Sequence, residues 1–161
     1  MSHHVRIALR CLGLAMATGS TVAHAACWPS GEGATAVYRN PSISDEFKES
    51  NFVIIGRVSH QRNVPGPDDP QGYAWTIYDV HVLETFKGRP PHTLQLLSEN
   101  SSARFPMDVG KSDLLFVDRA SLVDRAGNEA LPENYIDNCG NSELWDAASE
   151  KVRAVRKLSG S

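Results

Sequence analysis

Residues 73–88, YAWTIYDVHVLETFKG, place the first constraint on the fold. Side chains alternate along an extended chain, so Tyr78, Val80, Val82 and Phe86 take one face and Trp75, Ile77, Asp79 and His81 the other. A strand this long needs neighbours along its edges and a second layer over its apolar face. Three further β-rich runs supply neighbours: FVIIGRVSH (52–60), HTLQLLSEN (92–100) and SDLLFVDRA (112–120), with a weaker fifth strand expected within 129–140. Gly56 interrupts the first run and marks a bulge or a barrel bend. The Pro- and Gly-rich QRNVPGPDDPQG (61–72) reads as an exposed loop.

Helices flank the strands. Ser42 or Ser44 caps a short helix over 42–51, with Asp45 and Glu46 favouring the positive end of its dipole. In the tail, 141–158, Leu144, Ala148, Val152, Val155 and Leu158 recur at helical spacing, with Ser142 as cap and Lys151, Arg153, Arg156 and Lys157 placed late. The fold class expected is therefore mainly β with flanking helices: a five-stranded OB-type Greek-key barrel that closes its own edges, with a C-terminal α-helix.

The first 25 residues read as a secretory signal, with Arg6 and Arg10 ahead of the apolar CLGLAMATG and an Ala23-His24-Ala25 cleavage site. That leaves residues 26–161 as one exported domain, periplasmic or secreted. The apolar run is shorter than the ~20 residues of a membrane span, so no transmembrane segment is expected. His24 stands where lipoprotein signals carry an aliphatic residue, so a lipid anchor at Cys27 is not expected either. Losing Arg6 and Arg10 moves the net charge from −3 to −5, which gives no electrostatic footprint for nucleic acid. Cys11 leaves with the signal. Cys27 and Cys139 remain, and in an oxidising compartment they most simply form one bridge, a metal-bound or free pair being the alternative.

Catalytic constellations are scarce. His60, His81 and His92 are isolated in sequence, the Ser-rich stretches lack a nucleophile elbow, and the acid pairs Asp45-Glu46 and Asp68-Asp69 are explained by a helix start and a loop. No metal, no cofactor and no enzymatic activity are expected. The loop SENSSARFPMDVGK (98–111) offers two readings. Glu99, Asn100, Arg104, Phe105 and Met107 form a binding loop on a rigid scaffold, or Phe105 and Met107 plug one end of the barrel while Arg104 pairs with an acid. The set Trp75, Ile77 and Leu83 is either an interaction face or lies under a helix.

The frame EFKESNFVIIGRV, VHVLETFKG, DLLFV and YIDNCG resembles the tissue-inhibitor-of-metalloproteinases (TIMP) and netrin-module family, closest to its bacterial secreted relatives. The resemblance implies an OB-type barrel with helices packed on it. It also implies an inhibitory edge of Ala26, Cys27 and Trp28, in which the mature amine and a carbonyl at Cys27 chelate a target protease's zinc and Trp28 enters its pocket. Pro29 stands where the animal inhibitors have a second cysteine. The functional expectation is a non-enzymatic binding protein that acts on a protein partner. Its alternatives are inhibition of a zinc metalloprotease, then a carbohydrate binder or an enzyme.

Overall fold

The computed structural model describes residues 41–66, 72–101, 104–120, 125 and 130–160. The expected signal segment and the expected edge Ala26, Cys27 and Trp28 lie outside them. The described chain is mainly β with two helices: α1 (Ile43–Glu49), β1 (Phe52–Val64), β2 (Trp75–Lys87), β3 (Thr93–Glu99), β4 (Ser112–Arg119), β5 (Asn134–Tyr135), β6 (Glu143–Leu144) and α2 (Glu150–Ser159). The four main strands and the first helix fall on the expected runs, with β1 extending past His60 to Val64, and the weak fifth strand is found as β5 inside 129–140.

Five strands form a ring. The order runs β1-β2-β3-β5-β4, and β4 pairs back onto β1 from Phe52↔Val117 to Arg57↔Ser112. All these pairings are antiparallel except the single β3–β5 contact, Leu97↔Tyr135, which is parallel. β6 lies outside the ring, on β4 beside Asp113 and Leu114.

The long β1–β2 ladder is bent by three irregularities. Phe86, Leu83 and Ser59 each lack an opposite residue where the register shifts. Extra residues of this kind increase local twist and let two long strands coil around a small core. Gly56 sits at one shift, where β1, β2 and β4 converge. A methyl there would collide with the Val80 side chain and reach Leu115 Cδ1 at 3.1 Å, so only glycine fits this bend.

The core has three parts. Ile54, Val58, Tyr78, Val80, Leu94, Leu96, Leu115, Val117 and Ile136 fill the ring with Phe105 and Met107. On its outer side Val53, Ile55, Phe86, Leu114 and Phe116 pack under Val152 and Val155 of α2, with Ile43 and Phe47 of α1 at the border. Each fully buried aliphatic side chain contributes about 1.5–3 kcal/mol by leaving water. A third patch joins Trp75, Ile77 and Leu97 to Ala120 and Leu131.

Four expectations change. Phe86 does not share a face with Tyr78 and Val80, because the bulges at Leu83 and Phe86 turn it out toward the helices. Trp75 and Ile77 are covered by the segment around Leu131 rather than by a helix, and Leu83 is exposed. Residues 61–64, expected to open the exposed loop, instead continue β1 to Val64, whereas Phe105 and Met107 enter the core as the plug reading of 98–111 has it. The tail helix begins at Glu150, not near Ser142. Residues 143–144 pair with β4 instead, Trp145 N donates to Ser112 O, and Leu144 and Trp145 are 62% and 41% exposed. Ser142 Oγ accepts from Phe116 N, and Ser149 is the helix cap, its hydroxyl accepting from Lys151 N.

Candidate functional site

One cleft of about 270 Å³ opens where α1, the end of β4 and the turn after β5 meet, lined by Pro41, Glu46, Glu49, Asp118, Asp137, Cys139 and Gly140. The sequence builds it from α1. Ser42 caps the helix through Asp45 N, and Asp45 takes a hydrogen bond from Ser42 Oγ, which with Lys48 holds the Asp45 carboxyl below its ordinary range. Ile43, Glu46, Phe47 and Ser50 fall at helical spacing on one stripe. Glu46 therefore turns inward, where it is 8% exposed.

A buried carboxylate needs donors, and Asn141 supplies two. Its backbone N–H reaches Glu46 Oε2 at 2.8 Å and its side-chain amide at 2.5 Å, while the same amide donates to Pro41 O at 3.0 Å. This ties the turn to the start of α1 across most of the chain. Gly140 makes room: a methyl there would strike the Glu46 carboxylate. The turn is further shaped by Cys139 N, which donates to Asp137 Oδ1 at 2.8 Å.

Among the described residues the cleft has one sign of charge: four carboxylates line it, and none of those lining residues is Lys, Arg or His. Burial pushes the Glu46 carboxyl above its ordinary range, the Asn141 bonds oppose that, and the charges of Asp118 and Asp137 add to it. Asp118 is raised for the same first reason although its side chain meets solvent, with Asp137 and Glu49 pushing upward and Ser50 and Lys87 downward. The Lys87 ammonium is occupied in closing the end of α1, donating to Ser50 O at 2.7 Å and Lys48 O at 2.5 Å.

Such a site is suited to holding a cation. Among the described residues no group of three or more His, Cys, Asp or Glu is placed to hold a metal ion. An organic cation is the better match, since an ammonium or guanidinium can share carboxylates without compact coordination.

The residues expected from sequence are dispersed. Cys139 lies at the cleft, and its expected bridge partner Cys27 lies outside the described residues. Glu99 ends β3 opposite Trp75. Asn100 and Arg104 are used in holding the chain around Tyr73: Asn100 N donates to Ala74 O, its side chain to Tyr73 O, and Arg104 Nη1 to Tyr73 Oη at 2.9 Å. Arg104 thus pairs with a phenol and not an acid. His81 Nδ1 lies 3.0 Å from Thr93 Oγ1, and His60 faces Asp79 rather than His81. The sequence does carry a signal for the cleft, namely a glutamate on the inward stripe of an amphipathic helix. The contributions of Asp118 and Asp137 depend on long-range folding and carry no such signal.

No protein-family profile matches this chain, and no characterised protein is significantly similar to it in sequence. Among the described residues no helix is long and apolar enough to cross a membrane.

Proposed function

We propose that this chain is an exported, non-enzymatic binding protein on an OB-type scaffold, and that its acidic cleft receives a lysine or arginine side chain of a protein partner. The observation that carries this reading is a cleft lined by four carboxylates, one of them fixed in place by two Asn141 donors. A pre-oriented carboxylate lowers the ordering cost of binding, and the summed negative potential steers a basic partner toward the mouth. The closed strand order and the helices packed on one side of the ring support the OB-type and TIMP/netrin-like assignment.

A second reading, inhibition of a zinc metalloprotease, draws support from Cys139. It sits on a turn at the cleft, where a bridge to Cys27 would tether Ala26 and Trp28.

Titration with a short arginine-containing peptide at low and high salt tests the first reading. Binding that weakens with salt and falls at least tenfold in Asp118→Asn is the expected result. Equal affinity for wild type and variant removes the cleft from the account. A metalloprotease assay of the same preparation, before and after acetylation of its amino terminus, tests the second.

A further inference from the structure

Asp113 is a buried acid with no part in the cleft. It is the second residue of β4, opposite Gly56 of β1 and Leu144 of β6. It shares a face with Leu115 and Val117, which fill the ring, whereas Leu114 and Phe116 turn toward the helices. Asp113 therefore sits at one end of the ring interior, 3% exposed, with its Oδ2 lacking any hydrogen-bond partner.

Residues 104–111 close that end. Phe105 and Met107 enter the interior cluster, and Phe105 N donates to Ser98 Oγ. The segment is then pinned to β1 by Gly110 N to Val58 O at 2.8 Å and Val58 N to Lys111 O at 3.0 Å. Charged groups on the neighbouring elements are few. Arg57 of β1 is exposed and directs Nε to Ser112 Oγ, Glu143 of β6 pairs with Lys151, and Lys111 is exposed. Asp108, on the closing segment, is the group whose charge acts on Asp113, and it has the same sign.

We propose that Asp113 is a protonation-controlled latch on the segment 104–111, which keeps Phe105 and Met107 seated while its carboxyl is neutral and releases them when it ionises beside Asp108. Burial first, and Asp108 second, push the Asp113 pKa up to about 6. A folded-state value above the unfolded one means that the stabilising contribution is complete at low pH and is lost as pH rises through about 6. When the segment swings out, the carboxylate gains water and Asp108 moves away, so the open form takes up the charge more easily. Opening exposes an apolar interior at the end of the ring, which gives the protein a second, pH-gated surface distinct from the acidic cleft.

Amide hydrogen exchange on the full chain, corrected for intrinsic rates and compared between pH 5 and pH 8, tests the latch. The opening equilibrium at Phe105 and Gly110 is expected to rise about tenfold in the wild type and to level off above about pH 7, because ionisation favours opening only between the carboxyl's ordinary value of 3.8 and its folded value of about 6. Asp113→Asn should remove that rise, and Asp108→Asn should move its midpoint to lower pH. An equal rise in Asp113→Asn overturns the proposal. So does a rise shared by Val152 and Val155, which would report global unfolding. If Asp113→Asn does not fold, the Asp108→Asn midpoint decides, and an unmoved midpoint counts against the latch.

Discussion

Asn141 commits two donors to one oxygen of Glu46, so its removal leaves a buried charge short of partners. Asn141→Ala keeps the backbone donor and deletes the amide, which should cost about 1–3 kcal/mol at neutral pH. The penalty should shrink toward pH 4, because Glu46 already has a raised pKa and losing the amide raises it further, leaving the acid neutral there. Urea denaturation at the two pH values checks this, and a penalty independent of pH would mean that Asn141 acts only through shape. Tyr78 poses the opposite case. Its hydroxyl is fully buried in the ring interior without a hydrogen-bond partner, so the oxygen's desolvation goes uncompensated. Tyr78→Phe should leave stability unchanged or raise it by about 1 kcal/mol. A loss would show that the hydroxyl is satisfied in solution.

Elements were legible in sequence where one local rule governs them. Alternation locates β2, and it holds from Trp75 through Val82, but it cannot see that Leu83 and Phe86 will be left unpaired by β1. Gly56 did announce the bend, since a missing side chain inside a β-branched run has few other uses. The tail shows how tertiary pairing overrides a helical pattern. Leu144 and Ala148 have the right spacing to extend α2, yet β4 offers a free edge at Asp113 and Leu114, and residues 143–144 take it. Ser149 then starts the helix with a side-chain cap, and Glu143 accepts from the Ser149 hydroxyl and pairs with Lys151. Ser149→Ala should therefore cost about 1 kcal/mol, whereas Ser142→Ala should disturb β4 through the lost Phe116 contact and leave helix content unchanged. Far-ultraviolet circular dichroism with thermal melts of both variants separates the two. Helix loss in Ser142→Ala would restore the longer helix. The candidate cleft was less readable, because Glu46, Asp118 and Asp137 meet only after the ring has closed.

At the scale of the whole molecule the acids divide into two groups with opposite pH signatures. Asp45 and Glu133 have lowered pKa values, but both are surface groups partnered by Ser42 with Lys48 and by Arg119, and solvent screening leaves them little weight. Glu46, Asp118 and Asp113 are raised chiefly by burial. Each raised group binds its proton more tightly when folded, so each contributes stability that is present at low pH and declines as pH climbs through its folded value. The sum predicts a chain that loses stability as pH rises from about 4 through about 6 and levels off above the folded values. Urea midpoints across that range should fall steadily in the wild type. The slope should flatten in Glu46→Gln, which keeps an acceptor for Asn141 while removing the titrating proton, and flatten again when Asp113→Asn is added. Glu46 lies on α1 and Asp113 on β4, so the effects of the two substitutions should add within about 0.5 kcal/mol. Strong non-additivity would mean that the cleft and the barrel end communicate through β4, the strand that carries both Asp113 and Asp118. A midpoint that rises with pH would show that these carboxylates find more favourable partners in the folded chain than burial takes from them.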